Sequence, residues 1–170
     1  MRRFTSGAVT KKEASALLSL GRRRSFDFDH STVGRLVRDI EEMAGVALVL
    51  KAPSYWSVEP RPQGHPPHYD GCTEGKDGGM IDNHMPWCRY SGSVLLTDPS
   101  LFEGGVLRFS NDGEEHKRDA LCGLVAFSSG KDNQPQRHEV TPSRPVADGE
   151  QRVALLLFLA EEGGPLSWPR

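Results

Sequence analysis

The chain has 170 residues, 36% of them hydrophobic and 26% charged, with a formal net charge of -2. This length suffices for one hydrophobic core, so we expect one domain over residues 1–170. The near-neutral charge gives no basic field for nucleic acid, and no apolar stretch approaches the roughly 20 residues that span a bilayer. The N-terminal segment lacks the apolar run of a signal peptide, and three cysteines are too few for a secreted disulfide scaffold. The expected location is therefore cytoplasmic, without nucleic-acid or membrane partners.

Two helices are predicted near the N-terminus. Thr10 and Glu13 have the spacing of a capping box, in which each side chain satisfies a free backbone amide of the first turn, and they predict a helix over about 10–20. A second helix, capped by Ser31 or Thr32, is indicated by apolar residues at three- and four-residue steps that continue to a glycine. Its apolar stripe is expected to pack on a sheet.

The rest of the chain has the pattern of short strands separated by turns rich in glycine and proline. No alternation of strands and helices is present, so an antiparallel sandwich or barrel is favoured over a parallel sheet. We expect a mainly β fold of the α+β type, with residues 1–45 as helical support and residues 46–160 as the β core. The predicted strands are 46–50, 54–58, 91–97, 105–109, 123–128, 138–141 and 152–159.

A candidate metal site begins at His68 and Asp70. On an extended segment, side chains two residues apart project to the same face, so an imidazole and a carboxylate can share one ion. His138 opens a later β-like run and can supply the second imidazole of a two-histidine, one-carboxylate iron site. His65 is an alternative partner for Asp70. Arg152 begins the last apolar run, and its guanidinium can bind a carboxylate through two parallel hydrogen bonds.

An ordered series of segments gives the chain a family resemblance. From residue 67 to residue 160 it resembles the catalytic domain of the Fe(II)- and 2-oxoglutarate-dependent dioxygenases, and among them the prolyl hydroxylases, especially the prolyl 3-hydroxylase (leprecan-type) branch. The segments that carry the resemblance are HYDGC at 68–72, RYSGSVLLTD at 89–98, FEGGVLRF at 102–109, CGLVAFSSG at 122–130, HEV at 138–140 and GEQRVALLLFL at 149–159.

The resemblance implies a double-stranded β-helix, or jelly-roll, buttressed by the two N-terminal helices. It also implies that His68, Asp70 and His138 bind Fe(II). The reaction implied is the oxidative decarboxylation of 2-oxoglutarate to succinate and carbon dioxide, coupled to hydroxylation of an unactivated C–H bond. Ascorbate is an accessory reductant that the resemblance allows.

Co-substrate binding follows from the same resemblance. Arg152 would bind the remote carboxylate of 2-oxoglutarate, and Tyr90 and Tyr55 are further candidates for hydrogen bonds to the co-substrate. The segment between the distal histidine and this arginine is longer than is usual in the family, so Arg144 competes with Arg152 for the role. Ala154 stands where many relatives carry a small hydroxyl residue that also contacts the co-substrate.

The segment 71–88 is rich in glycine and is the expected lid over the site. His84 and Trp87 within it are candidates for substrate contacts, with Trp87 as a platform. Cys72 and Cys88 bracket the segment, and either a disulfide clasp or two reduced thiols fits the sequence.

The expected substrate is a prolyl residue in a peptide or protein, and a small molecule remains open. Substrate identity rests on the resemblance, because no residue of the sequence reads out proline. Two other functions fit the same segments. One is a non-catalytic metal-binding domain of the same fold, and the other is a cupin-like iron enzyme that does not use 2-oxoglutarate.

Overall fold

The computed structural model describes residues 1–110, 115–116, 121–147 and 149–164. These residues form a mainly β structure with two helices and antiparallel sheets, as the sequence predicted. Both helices are too short to cross a bilayer, and no helix in the described part of the chain is long and apolar enough to do so.

Helix α1 spans Lys11–Ser19, and its N-terminus has the predicted capping box. The Glu13 backbone amide donates to the Thr10 hydroxyl at 3.2 Å, and the Thr10 amide donates to the Glu13 carboxylate at 2.7 Å. The same carboxylate accepts hydrogen bonds from the Arg35 guanidinium at 2.8 Å and from the Thr32 hydroxyl at 3.3 Å. Glu13 therefore both caps α1 and links it to the second helix.

Helix α2 spans Ser31–Ala44 and ends at Gly45, which adopts the left-handed conformation with φ of 70°. Its N-cap is His30, and the prediction of a hydroxyl cap was wrong. The Thr32 hydroxyl donates to Glu13 of α1 instead, because the helix begins one residue earlier than the sequence pattern indicated. The buried face of α2 consists of Thr32, Val33, Gly34, Leu36, Val37 and Ile40.

Fourteen strands and one 3₁₀ turn, Pro99–Leu101, accompany the helices in the described residues. The strands are β1 Arg2–Thr5, β2 Arg23–Ser25, β3 Tyr55–Pro60, β4 His65–His68, β5 Cys72–Glu74, β6 Met80–Asp82, β7 Tyr90–Leu95, β8 Phe102–Gly104, β9 Leu107–Phe109, β10 Glu115–His116, β11 Leu124–Ser128, β12 His138–Val140, β13 Ser143–Pro145 and β14 Val153–Leu159.

The strands form two main sheets. The larger has the order β1-β11-β7-β14-β3-β2, and the smaller has the order β10-β9-β12-β4. Two further antiparallel pairs, β13 with β8 and β5 with β6, complete the pairing. Most neighbours in these sheets are distant in sequence, so contacts between remote segments create the fold.

The larger sheet has two different faces because successive side chains of a strand point to opposite sides. On β14, Leu155 and Leu157 pack in the main core with Val37 and Ile40 of α2. The alternate residues of the strand face the smaller sheet. A second apolar cluster joins the two sheets, and the rings of Phe109 and Phe127 in it lie 5.3 Å apart.

The predicted strands differ from the structure in two ways, because one predicted strand is absent and several observed strands were not predicted. Residues 46–50 form no strand, because they are joined to the C-terminal segment by one isolated bridge, Leu48 to Glu161. Among the strands that were not predicted, β1 and β2 are the two edge strands of the larger sheet and have arginine-rich sequences, RRFT and RRS. The segment 1–45 therefore contributes sheet edges as well as helical support.

Replacing Glu13 with glutamine should destabilise the protein in a pH-dependent way. Hydrogen bonds from the Thr10 amide and the Arg35 side chain hold the pKa of Glu13 at about 2, below the ordinary value of 4.5. The ionised side chain therefore stabilises the fold above about pH 4.5 and loses that contribution as the pH falls toward about 2. We expect Glu13→Gln to lower the free energy of unfolding by about 1 kcal/mol at neutral pH, measured by urea denaturation.

The difference from the wild type should shrink when the measurement is repeated between about pH 5 and about pH 3. Glu42→Gln is the matched control, because Glu42 is an exposed glutamate of α2. A loss equal to that of the control, or a loss that does not vary with pH, would contradict the prediction.

Candidate metal and co-substrate site

The two histidines of the candidate metal site lie directly opposite each other on neighbouring strands. His68 ends β4, His138 begins β12, and the two residues are register partners in the smaller sheet. Partners in an antiparallel pair project to the same face, and the ring centroids lie 4.3 Å apart. The fold thus joins two histidines that are separated by seventy positions in sequence.

Asp70 completes the cluster two residues beyond His68. Its Oδ1 lies 3.2 Å from Nε2 of His68, and its Oδ2 lies 3.8 Å from Nε2 of His138. All three donor atoms lie within 4.8 Å of one another. Ligand bonds of about 2.1 Å to a single first-row metal ion place donor atoms roughly 3 to 4 Å apart, so the three side chains fit one ion.

Backbone carbonyls orient both imidazoles. Nδ1 of His68 is hydrogen-bonded to the Pro66 carbonyl at 2.8 Å, and Nδ1 of His138 to the Gln136 carbonyl at 3.0 Å. A carbonyl only accepts, so each Nδ1 carries the proton and each Nε2 keeps its lone pair toward the cluster. This second-sphere arrangement is typical of metal-binding histidines.

The charges of the cluster suit a cation. Burial alone would raise the pKa of Asp70. In the acidic range in which Asp70 titrates, the positive charge of His138 and a hydrogen bond from His68 outweigh burial and hold the pKa at about 2. Burial lowers the pKa of His138. At neutral pH the cluster therefore presents a carboxylate and a neutral buried imidazole, the protonation states that bind a metal ion.

Asn83 fixes the turn that carries Asp70. Its side-chain amide donates to the backbone carbonyls of Asp70 and Cys72, both at 2.9 Å, and its Oδ1 accepts from the Met85 amide at 2.7 Å. A hydrogen bond from Ser91 also lowers the pKa of Asp70. The ligand turn is thus held from the segment 71–88 and from β7.

A cavity of about 250 Å³ lies between the two sheets, with the cluster on its wall. The smaller sheet contributes apolar side chains such as Leu107 and Val140, and the larger sheet contributes Leu156 and Phe158. Polar groups of β7 and several cations also line the cavity. Its mixture of apolar walls with a few convergent polar groups is typical of small-molecule sites.

Arg152 lines this cavity and is buried, 4% exposed. Its Nε donates to the Gly105 carbonyl at 3.0 Å, and among the described residues no carboxylate pairs with it. Burial, followed by the charge of Arg61, lowers the pKa of Arg152 to about 10. The side chain remains a cation at neutral pH with donors available to an anion in the cavity.

Arg144 lies elsewhere. It is on β13, its side chain is 81% exposed, and its guanidinium pairs with the Glu103 carboxylate at 2.7 Å. The structure therefore brings Arg152 to the cavity with His68, Asp70 and His138, and it does not bring Arg144 there.

Of the two candidate tyrosines, only Tyr55 lines the cavity. Its ring contacts Phe158 and Trp87, and burial raises its pKa to about 12, so the phenol stays protonated. Tyr90 lies on the opposite face of β7, in the core beside the helices. The reason is the alternation of side chains along the strand, which directs Ser91 and Ser93 into the cavity instead.

The two candidate substrate contacts in the segment 71–88 also differ in position. His84 lines the cavity and is exposed, whereas Trp87 is 0% exposed and packs against Tyr55. Trp87 is therefore a core residue and not a substrate platform.

Cys72 and Cys88 are buried free thiols, with no disulfide clasp between them. His65 lies outside the three-residue cluster, and its ring contacts that of His68 in a tilted arrangement with centroids 3.8 Å apart.

Solved structures identify the fold. The viral collagen prolyl hydroxylase of Paramecium bursaria Chlorella virus-1, in complex with 2-oxoglutarate, aligns with a TM-score of 0.64 at 10% identity, over 93% of this chain and 94% of that chain. A 2-oxoglutarate–Fe(II) oxygenase family oxidoreductase from Burkholderia pseudomallei aligns at 0.62 and 14%, over 99% and 88%. A prolyl-4-hydroxylase from Pseudomonas putida aligns at 0.59 and 18%, over 94% and 84%.

This protein has the fold of those 2-oxoglutarate-dependent oxygenases. No protein-family model matches the chain, and no curated protein sequence matches it. At identities of 10% to 18% the likeness concerns the fold, and the chemistry must be argued from the residues of the site.

Three residues of the site were not predicted from the sequence. Asn83 holds the ligand turn, Ser91 bonds Asp70, and Arg61 lines the cavity beside Arg152. Each acts through a partner that is remote in sequence. The polar alternation of SGS at 91–93 within an otherwise apolar strand was the one signal that could have indicated a polar cavity face.

Replacing Gly105 with alanine should destabilise the protein through Arg152. Gly105 has a positive φ of 67°, and an added Cβ would collide with the Cδ of Arg152. Gly78 also has a positive φ, 80°, but nothing lies within 4 Å of its Cβ position. We expect Gly105→Ala to lower the free energy of unfolding by at least about 1 kcal/mol more than Gly78→Ala, measured by chemical denaturation. Equal losses would show that Gly105 is not needed to make room for Arg152.

Proposed function

We propose that this protein is an Fe(II)- and 2-oxoglutarate-dependent oxygenase that hydroxylates an unactivated C–H bond. One observation carries the proposal: the His68, Asp70 and His138 cluster shares its cavity with the buried Arg152, which lacks a carboxylate partner among the described residues. A metal site alone fits many functions. A metal site joined to a buried cation fits a chelating ligand with a second, remote negative charge.

The proposed fold is the double-stranded β-helix. In it, the larger and smaller sheets are the two halves of a jelly-roll, and α1 and α2 pack on the outer face of the larger sheet. The shared cluster of Phe109 and Phe127 supports this assignment, because each residue comes from a different sheet. The cavity is then the mouth between the sheets.

The donor set fits iron. Two imidazoles and one carboxylate bind one face of Fe(II) and leave the other positions open, as in non-haem iron oxygenases. When bound, the iron and its 2-oxoglutarate supply the oxidising chemistry, and the protein supplies position and shielding. His68 and His138 hold Nε2 toward the ion through their carbonyl bonds, and Asp70 stays ionised.

Arg152 has the proposed role of binding the remote carboxylate of 2-oxoglutarate. Its Nε bond to Gly105 fixes the side chain, so the remaining guanidinium donors are oriented before the co-substrate arrives. The apolar side chains of Leu107, Val140 and Leu156 line the same space and reduce access of water to it.

A prolyl residue in a peptide or protein is the proposed substrate. Two of the structures that share the fold are named as prolyl hydroxylases, which supports the class. The cavity supports an extended substrate, because exposed residues, Arg24 and His84, line it together with the buried cluster. A peptide can then pass over the mouth and project one side chain toward the metal.

Removing a ligand should abolish tight metal binding. We expect the wild type to bind one equivalent of Fe(II), or of Mn(II) as a redox-stable probe, in anaerobic calorimetry. His68→Ala and His138→Ala should each weaken the affinity by more than about 100-fold, since loss of an outer partner alone costs about 10- to 100-fold. His84→Ala is the matched control and should bind as the wild type does. Unchanged binding in either ligand variant would refute the triad.

Turnover should depend on Arg152 and not on Arg144. The metal-loaded wild type should release succinate from 2-oxoglutarate and dioxygen, and a proline-containing peptide that serves as substrate should accelerate the release. Arg152→Ala should lose about 100-fold in kcat/KM, because a charge-assisted pair contributes about 1.5 to 3 kcal/mol. Arg144→Ala, which removes an exposed ion pair, should retain activity. Metal binding without consumption of 2-oxoglutarate would favour a non-catalytic domain instead.

A further inference from the structure

Arg61 lies beside Arg152 in the candidate site. It follows β3 directly, and its backbone amide donates to the Arg152 carbonyl at 3.3 Å. Both residues line the cavity that contains the metal cluster. Two guanidinium groups therefore enter one small cavity from adjacent strand ends.

The Arg61 guanidinium forms an ion pair through one nitrogen and has a second nitrogen without a hydrogen-bond partner among the described residues. Its Nη2 pairs with the Glu59 carboxylate at 2.8 Å, with only 26% of the Arg61 side chain and 16% of the Glu59 side chain exposed. Its Nε is buried, and no hydrogen-bond partner for it exists among the described residues. A buried donor without an acceptor costs about 1 to 3 kcal/mol, so such an atom points to an acceptor that arrives with a ligand.

The two cations also favour an anionic ligand in the cavity. Glu59 offsets the charge of Arg61, but within the described part of the chain no carboxylate offsets Arg152. Burial and then the charge of Arg61 lower the pKa of Arg152 to about 10, as expected when a buried cation faces a like charge. An anion placed between the two guanidinium groups would relieve both the burial and the repulsion.

Cross-strand pairing fixes the position of Arg61. Glu59 on β3 is the direct cross-strand partner of Ala154 on β14, which lies two residues beyond Arg152. Register partners project to the same face of a sheet, and Glu59 holds the Arg61 guanidinium. The pairing of β3 with β14 therefore positions the second guanidinium on the face from which Arg152 projects.

We propose that Arg61 is a second binding residue for the remote carboxylate of 2-oxoglutarate, to which its Nε donates a hydrogen bond beside Arg152. The inference rests on the proposed function and adds a residue to its co-substrate site. It carries a consequence for selectivity: two guanidinium groups discriminate a 2-oxo acid with a second carboxylate from one without it more strongly than a single arginine does.

The test compares two ligands on Mn(II)-loaded protein without dioxygen, by calorimetry. 2-Oxoglutarate has the remote carboxylate, whereas 2-oxobutanoate keeps the metal-chelating keto acid and lacks that group. We expect Arg61→Gln to weaken 2-oxoglutarate binding by at least about tenfold and to change 2-oxobutanoate binding by less than about twofold. The matched control is Arg89→Gln, because Arg89 is also a half-buried, ion-paired arginine but does not line the cavity.

A second variant tests whether a loss of affinity in Arg61→Gln reflects misfolding. Arg61→Lys keeps a cation for Glu59 but lacks the Nε donor, and it should still lose at least about threefold in 2-oxoglutarate affinity without a loss for 2-oxobutanoate. Wild-type affinity for 2-oxoglutarate in both Arg61 variants would overturn the inference, and so would an equal loss for both ligands. If the wild type bound neither 2-oxo acid, the proposed function itself would fail.

Discussion

The antiparallel pairing of β4 with β12 is the constraint on which the site depends. It makes His68 and His138 register partners, so their imidazoles occupy one face at the spacing that a single ion needs. A shift of one residue in this register would turn one imidazole to the other face and separate the ligands. Asp70 depends on the same pairing, because it follows His68 by two residues and is held there by Asn83.

The same cavity contains a buried carboxylate and a buried cation, which require ligands of opposite charge. The cluster needs a buried carboxylate that stays ionised, and the neighbouring histidines provide for this by lowering the pKa of Asp70. The cavity also contains a buried cation, Arg152, and the like charge of Arg61 beside it favours an anionic ligand. A ligand that chelates a metal through one group and carries a second, remote carboxylate satisfies both requirements. The charges of the site thus match those of a metal ion and of the co-substrate that we propose.

Alternation of side chains along the strands decided several roles. β7 and β14 each separate a helix-facing set of residues from a cavity-facing set. On β7 this separation places Tyr90 in the core and Ser91 in the cavity, and the same alternation on β3 places Tyr55 in the cavity. The close packing of Gly105 on Arg152 shows the same dependence on geometry, because the arginine occupies the space that a side chain at residue 105 would fill.

The sequence by itself determined the mainly β class, the capping box of α1, most of the strands of the larger sheet and the three residues that the fold groups as a candidate metal site. These follow from local periodicity, turn residues and an ordered series of motifs. Only the tertiary structure brings Arg152 and not Arg144 into the cavity, buries Trp87 and places Arg61 beside Arg152. Such outcomes depend on strand register and on contacts between distant segments, and no local pattern encodes which face of a strand will meet which neighbour.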